Sequence, residues 1–373
     1  MKTTIYSDDW QAAAGRLADF YRQTGRTGLA WSPNWLTVLE RSFGDRPYLI
    51  EATDERGVAV GWLPLSYVSS WLFGRFLVSL PYLNVGGVAT QSSEAAAAII
   101  DRACELADQL DVKFLELRGE QEWPHEKLTY TRTEKFHLRL PLPPSEDELW
   151  KSIGCKARNQ VRKGEKAGLT IRWGTDSALI RDFYEIFCVN MRDLGTPVYS
   201  KTLFQNMADV FNSSGFCFGS ADLCFNQKTG GVLPQVEFAV VYSAAGEPAA
   251  GAVLTYGLSD APWVEVPSAS CKRKFNRDCA NMYLYWQLLT RSIDRKQVVF
   301  DFGRSSKDSP TFRFKTQWGA LPHPSFWQYY LRGADPNCMR PDQGGYSLAV
   351  RIWQKLPVWL TKLIGPGIVR GIP

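Results

Sequence analysis

A predicted buried strand at 298–302 runs into a polar segment whose cations could act on a carbonyl group. Within 311–319, two phenylalanines alternate with Arg313 and Lys315. A strand in this segment would place both cations on the face opposite the phenyl rings. If that face lines a cleft, Lys315 and Arg313 can stabilise the negative charge that develops on an attacked carbonyl oxygen, as acyl transfer requires. The alternative, in which both side chains face solvent beside a core strand, has equal support from the sequence.

Six further polar residues are candidates for substrate binding. The helix that carries Asn190 and Arg192 is predicted to end at Gly195 and Pro197, which leaves Tyr199 close to its mouth. A helix cap and a solvated loop are equally good explanations of these residues taken singly. The complete set of candidates is Tyr82, Asn190, Arg192, Tyr199, Asp301 and Arg304.

One predicted helix carries a cluster of positive charge. Seven basic residues and a single acidic residue lie within 151–172, in a chain whose net charge is only +5. At helical spacing the cations share a face opposite Ile153, Ala157 and Val161. Such a face could bind the phosphates of RNA, a nucleotide-sugar or a lipid carrier, and the alternative is a solvated helical face. The candidate phosphate-binding or RNA-binding residues are Lys156, Arg158, Arg162, Lys163 and Lys166.

The elements that must position these residues occur twice in one order. The first half is predicted to contain helices at 10–22 and 33–42, strands at 48–53, 58–68 and 76–80, a helix at 93–110 and a strand at 112–118. The second half is predicted to contain a helix at 180–194, strands at 236–242, 249–256 and 263–269, a helix at 281–294 and a strand at 298–302. Such a repeat indicates an α/β protein built from two units, each a mixed sheet flanked by helices.

The join between the units is expected where two prolines precede Ser145, because this pattern ends one element and starts a helix. The predicted domains are therefore 1–143 and 144–335, and a C-terminal apolar and basic segment follows at 336–373.

Composition and missing motifs exclude several classes of protein. The 373 residues are 45% hydrophobic and 22% charged, which is typical of globular domains. The sequence has no G-x-S-x-G, H-E-x-x-H, G-x-G-x-x-G or Walker motif, and its eight cysteines show no metal-ligand spacing. We therefore expect no metal site and no built-in cofactor. The first residues lack the apolar core of a secretory signal, which favours a cytoplasmic location.

Several blocks of the sequence together resemble one known family. They are Leu-Pro-Tyr at 80–82 with Gly86-Gly87, Lys-x-Arg-Asn-Gln-x-Arg-Lys at 156–163, Asn-Met-Arg-Asp-Leu-Gly-Thr-Pro at 190–197, Phe-Asp-Phe-Gly-Arg-Ser at 300–305 and Phe-Arg-Phe-Lys-x-Gln-Trp-Gly at 312–319. Over nearly its whole length the chain resembles FemAB-like proteins that are associated with PEP-CTERM and exosortase loci.

The resemblance implies tandem GNAT-like domains with a cleft between them. Members of the wider FemABX family transfer amino acids from aminoacyl-tRNA to the peptide of a cell-wall precursor, and related domains are acetyltransferases. By this resemblance Lys315 would touch the acyl or phosphate groups, and the acceptor would belong to exopolysaccharide or envelope assembly.

The leading hypothesis is an N-acyltransferase or aminoacyltransferase that acts on an amine, with aminoacyl-tRNA or acyl-CoA as the donor co-substrate. One alternative is an acetyl-CoA-dependent acetyltransferase that acts on a sugar amine, and another is a non-catalytic phosphate-binding assembly factor. The expected partners are a small-molecule or lipid-linked amine acceptor and, as one candidate, tRNA; no DNA partner is expected.

The C-terminal segment at 346–373 mixes tryptophan and aliphatic residues with lysine and arginine, but it is too broken to span a bilayer. Docking onto the protein's own domain and peripheral contact with the inner face of a membrane are both compatible with this pattern.

Overall fold

Two mixed β-sheets with the same order of elements form the frame of the protein. The computed structural model describes residues 1–26, 28–213, 234–257, 262–333 and 344–372, except for the side chains of 344–347. The first half contains β1 (Lys2–Tyr6), α1 (Trp10–Gln23), α2 (Asn34–Phe43), β2 (Arg46–Thr53), β3 (Ala59–Ser70), β4 (Gly74–Val78), β5 (Ala89–Thr90), α3 (Ser93–Gln109), β6 (Phe114–Gly119), β7 (Tyr130–Arg132) and β8 (Lys135–Pro141).

The second half begins with the basic helix and ends with two helices at the C-terminus. It contains α4 (Glu146–Ser152), α5 (Cys155–Lys166), β9 (Thr170–Gly174), α6 (Ser177–Leu194), α7 (Lys201–Asn212), β10 (Val236–Tyr242), β11 (Pro248–Tyr256), β12 (Trp263–Cys271), α8 (Ala280–Asp294), β13 (Val299–Ser306), α9 (Pro310–Thr316), β14 (Leu321–Pro324), β15 (Phe326–Leu331), α10 (Gly344–Lys355) and α11 (Val358–Val369).

The predicted internal repeat is confirmed. One sheet runs β1-β2-β3-β4-β6 and the other runs β9-β10-β11-β12-β13. In both sheets the first four strands are antiparallel neighbours, and a helix then carries the chain to a parallel fifth strand. A parallel pair needs such a crossover connection, which α3 and α8 supply.

Each sheet is completed by a strand from the other half of the chain. β15 pairs with β6 in the first sheet, and β8 lies between β13 and β14 in the second. The predicted ranges 1–143 and 144–335 therefore each contain one strand that belongs to the other's sheet. This exchange ties the two halves together through backbone hydrogen bonds.

Helices also join the halves. α2 packs against α7, and the ring of Trp35 lies 4.9 Å from that of Phe211. One apolar core includes α1 and α2 from the first half and α6, α7 and β10 from the second. This shared core joins the two halves beside the cavities described below.

The expectation of a strand at 311–319 is wrong, because the helix α9 occupies Pro310–Thr316. Ser309 caps this helix by accepting a hydrogen bond from the Phe312 N–H, and Pro310 occupies the first helical position. On a helix, residues two apart point in different directions, so Lys315 and Arg313 do not share a face.

A buried carboxylate holds the second sheet to its covering helix. Glu237 on β10 accepts hydrogen bonds from Arg291 at 2.6 Å and from the Tyr256 hydroxyl at 3.1 Å, and Arg295 lies 3.4 Å away. Replacing Glu237 by alanine leaves the buried Arg295 without its counter-ion. We expect the free energy of unfolding in urea to fall by about 3–5 kcal/mol.

The matched control is Glu105→Ala, which removes an exposed ion pair on α3 and should cost less than about 1 kcal/mol. Equal losses for the two variants would contradict this assignment.

Candidate functional site

The second sheet opens between its two parallel strands. β12 and β13 pair over three residues, and the last pair is Glu265 with Asp301. Beyond Asp301 the register of β13 against β8 shifts, and Gly303 has a φ of +76°, which favours glycine. The two strands separate from this point, so both carboxylates lie where the sheet opens.

Two cavities meet at this opening. The inner cavity, of about 120 Å³, lies among α2, α7, the 82–85 loop and the opened strands, whereas the outer cavity, of about 700 Å³, reaches to Trp123 and Trp263. Ala30, Val85 and Glu265 line both. Glu265 therefore lies at the junction between a largely apolar chamber and a wider one whose lining is more polar.

Glu265 has the electrostatic properties of a proton acceptor. Burial and, to a smaller degree, the neighbouring carboxylate of Asp301 raise its pKa from 4.5 to about 8, although Arg139 opposes the shift. A carboxyl group with a pKa close to neutrality can take up a proton during turnover and release it afterwards.

Arg139 holds the acidic cluster together. Its guanidinium donates to Asp301 at 2.9 Å and to Glu120, and it lies over the Trp263 ring at 4.6 Å. His137 Nδ1 lies 3.5 Å from the Asp301 carboxylate. Burial alone would raise the pKa of Asp301, but His137 and Arg139 outweigh it and hold that pKa below its ordinary value. Asp301 is thus ionised, and its charge disfavours ionisation of Glu265.

Lys315 lies behind the opened strand. Its Nζ donates to the carbonyl oxygens of Gly303 and Arg304, each at 3.0 Å, and its side chain is buried. Burial lowers the pKa of Lys315 to about 8; Asp301 opposes this shift and Arg304 contributes to it. Lys315 therefore contacts the backbone that borders the inner cavity and lies outside the lining of both cavities described above.

Arg313 is exposed and faces away from Lys315. With Lys156 of α5 it borders a groove of about 350 Å³ between α5, α9 and the start of α8. The two proposed catalytic cations thus lie in different places.

Arg304 contacts the 82–85 loop, and this loop and Asp301 line the inner cavity together. The Arg304 guanidinium lies over the Trp327 ring at 3.4 Å, and its Nε donates to Asn84 at 3.0 Å. Burial lowers the pKa of Arg304 to about 9. Arg304 therefore connects the second sheet to the loop that walls the inner cavity.

Tyr82 and Tyr199 line the inner cavity with their rings 5.6 Å apart. The Tyr82 hydroxyl donates to the carbonyl of Arg370 at 2.9 Å, and burial raises the pKa of Tyr82 well above 10. Burial also raises the pKa of Tyr199. Both hydroxyls are neutral at physiological pH.

Asn190 and Arg192 lie near the C-terminal end of α6. Asn190 donates to Ser270 of β12 at 3.2 Å. Arg192 pairs with Asp193 at 2.7 Å and donates to the carbonyl of Leu356 at 3.1 Å. Neither residue lines the two cavities that meet at Glu265.

The basic helix forms as predicted, with Ala157, Val161 and Gly164 buried. Arg158 donates to the carbonyls of Trp150 and Ile153, so it closes the end of α4. The exposed cations on α5 are Lys156, Arg162, Lys163 and Lys166.

Sequence reasoning missed Glu265 as a candidate. The available indication was its position between Val264 and Val266 in an otherwise apolar run. Strand alternation places a residue at this position on the face opposite the valines. Its chemistry depends on Asp301, which lies 36 positions away in the sequence and reaches Glu265 only through strand pairing.

No family model matches the chain, and no curated protein matches it by sequence. Solved structures do match its fold. FemX aligns with a TM-score of 0.58 and 14% identity, covering 94% of this chain and 100% of FemX. L-PGS from Bacillus licheniformis aligns with a TM-score of 0.52 and 11% identity, covering 91% of this chain and 97% of L-PGS.

The C-terminal domain of a putative lysylphosphatidylglycerol synthetase from Agrobacterium fabrum aligns with a TM-score of 0.50 and 9% identity, covering 92% of this chain and 95% of that domain. These alignments span nearly the whole of each chain and include both sheets. They confirm the predicted α/β class of two mixed sheets flanked by helices, and the chain therefore shares the fold of FemX.

Proposed function

We propose that this chain is an acyltransferase that moves an acyl or aminoacyl group onto an amine, with Glu265 as the general base. The observation that carries the proposal is the raised pKa of Glu265 at the junction of the two cavities. The fold shared with FemX and L-PGS supports the same class of reaction.

In the proposed reaction the acceptor amine attacks the carbonyl carbon of the donor. A carbon–nitrogen bond forms, the ammonium proton passes to the Glu265 carboxylate, and the bond to the donor's leaving oxygen or sulfur then breaks. The leaving group departs with that proton, which returns the carboxylate. A base with a pKa near the working pH suits both transfers.

The donor is proposed to be acyl-CoA or aminoacyl-tRNA, both of which carry phosphates. Lys156 and Arg313 reach the groove between α5, α8 and α9 from two sides, so this groove can neutralise phosphate oxygens. The basic face of α5 continues from it. Arg313 is accordingly proposed to bind the donor.

The acceptor is proposed to be a small or lipid-linked amine in envelope or exopolysaccharide assembly. The sequence resemblance to FemAB-like proteins of PEP-CTERM and exosortase loci supports this part of the proposal, together with a cytoplasmic site of action. Tyr82, Tyr199, Asp301 and Arg304 surround the inner cavity or brace its wall and are proposed to shape the acceptor site.

Thermal-shift titration tests the donor. A ligand that binds only the folded state raises the melting temperature, by an amount that grows with its concentration over Kd. Acetyl-CoA, longer acyl-CoAs and aminoacyl-tRNA are compared, and a K156Q/R313Q variant should lose most of the stabilisation. R56Q, on the exposed β2–β3 turn, is the matched control.

Stabilisation by a CoA ester supports acetyl or acyl transfer, and stabilisation by aminoacyl-tRNA alone supports aminoacyl transfer. No response to any of these donors would contradict the proposal and favour the assembly-factor alternative.

A further inference from the structure

The C-terminal helices dock on the protein and still expose an apolar stripe. α10 and α11 both pack against α6, burying Trp353 and Val369. Their outward side chains remain in solvent. These are Leu348 and Ile352 on α10 and Trp359 and Leu363 on α11, each pair four residues apart. Residues four apart share a helical face, so each helix is apolar on both its inner and its outer side.

A turn from the first half extends this stripe. Trp71 and Leu72, at the β3–β4 turn, are 94% and 56% exposed. Gly371, just beyond α11, packs so closely on Ser70 and Phe73 that a Cβ there would collide with both. The tip of the turn therefore lies beside the end of α11. The docking surface defined here comprises the six side chains Trp71, Leu72, Leu348, Ile352, Trp359 and Leu363.

The charge on this segment has one sign. The last 30 residues contain four cations and no acidic residue. Arg351 and Lys355 are exposed on α10, beside Ile352, whereas Lys362 is neutralised by Glu185. Exposed tryptophan and aliphatic side chains next to exposed cations are the features of a segment that lies in the interface of a bilayer containing anionic lipids.

We infer that this chain docks on an anionic membrane surface through the turn at Trp71-Leu72 and the outer faces of α10 and α11. Among the described residues no helix is long and apolar enough to cross a membrane. A patch assembled from two distant parts of the chain holds its shape only in the folded protein. A peptide of the C-terminal segment alone would lack the turn.

The inner side of α11, opposite Trp359 and Leu363, contacts the wall of the inner cavity. Gly365 of α11 packs against Val198, and the carbonyl of Arg370 accepts the hydrogen bond of Tyr82. Membrane docking would therefore bring the lipid surface next to the chamber that holds Tyr82 and Tyr199. If the proposed function holds, a lipid-linked amine enters the chamber from the bilayer.

Vesicle co-sedimentation tests the inference without any assay of activity. The full chain is mixed with vesicles of phosphatidylcholine alone, or of equal parts phosphatidylcholine and phosphatidylglycerol. We expect binding to the anionic vesicles that weakens with added salt, since exposed cations are screened. W71S/L72S and W359S/L363S should each weaken binding about tenfold or more, because each removes two large apolar side chains from the contact.

The matched control is V58S, which removes an exposed apolar side chain at the opposite end of β3. It should bind like the parent protein. Circular dichroism establishes that each variant is folded before binding is compared.

Three outcomes would overturn the inference. The folded protein could ignore both vesicle types, or the W71S/L72S variant could bind normally, which would remove the turn from the contact. Sedimentation equilibrium supplies the third. If the parent forms a dimer that the same variants dissociate, and vesicles are not bound, the surface joins two copies of the chain instead.

Discussion

Replacing Glu265 by glutamine is expected to lower kcat/KM for acyl transfer by about 10²- to 10⁴-fold, the usual contribution of a positioned general base. Glutamine keeps the shape of the side chain and loses only the capacity to accept the proton. In the parent enzyme kcat/KM should fall as the pH drops below about 8, where Glu265 becomes protonated. The variant should lack this limb of the pH profile.

Stability gives an independent readout of the same residue. Because the pKa of Glu265 is raised from 4.5 to about 8, the folded state holds this proton more tightly than the unfolded state between those values. The parent's free energy of unfolding should therefore fall as the pH rises through this window. E265Q should become progressively more stable than the parent from pH 4.5 to 8. The buried Asp45, with a pKa raised to about 7 by burial, is present in both proteins and cancels.

The control for activity is E122Q, which alters an exposed carboxylate close to Trp123 at the outer cavity. It should retain full activity. Full turnover by E265Q, with an unchanged pH profile, would remove Glu265 from the mechanism. A loss of activity without any pH-dependent difference in stability would show that the pKa of Glu265 is not raised, which would contradict its assignment as the base.

The central elements of both halves could be predicted because their periodicity is local. The strand predicted at 236–242 coincides with β10, and the helix predicted at 93–110 matches α3 to one residue. The buried residues of α3 all face one core, and β10 is a continuous apolar run whose alternate residues enter two cores. The basic helix was found for the same reason, since its buried face carries only small and apolar residues.

The exchange of β8 and β15 could not be predicted. The strands with which β8 and β15 pair lie in the other half of the chain. Local pattern does not encode which sheet a strand joins. The α9 error had a different cause, because alternation over four residues of mixed type suits a strand or a helix. The Ser-Pro pair at 309–310 was the better guide, since it supplies an N-cap and a first helical residue.

The candidate site also combines features that the sequence could predict with features that it could not. The residue types near 301–315 indicated carbonyl chemistry, but their placement depends on where β12 and β13 part. That point fixes Glu265 opposite Asp301 and puts Lys315 behind the bulge. Arg192 and Arg158 show the corresponding limit for cations. Each satisfies backbone carbonyls at the end of a helix or just beyond it, a use that their sequence neighbourhood does not distinguish from ligand binding.

Lys315→Met is expected to reduce both stability and turnover, and the combination separates two roles for this lysine. As a brace, Lys315 satisfies two carbonyl oxygens, and methionine cannot replace those bonds. Leaving buried acceptors unpaired should lower the free energy of unfolding by about 1–3 kcal/mol. The Gly303 segment could then shift, and a displacement of about 1 Å near reacting groups can cost about 10²-fold in rate.

If Lys315 instead stabilises the oxyanion, turnover should fall by about 10²- to 10³-fold with no loss of stability. K307M, at an exposed lysine after β13, is the control in both measurements. The pH dependence adds a further test. Since burial lowers the pKa of Lys315 from 10.5 to about 8, the parent should gain stability relative to K315M as the pH rises through that window. K315M should therefore show a larger stability deficit at pH 10 than at pH 7, whichever of the two roles Lys315 has. A variant that is as stable as the parent at pH 7 but catalytically impaired would indicate that Lys315 stabilises the oxyanion and is not a brace.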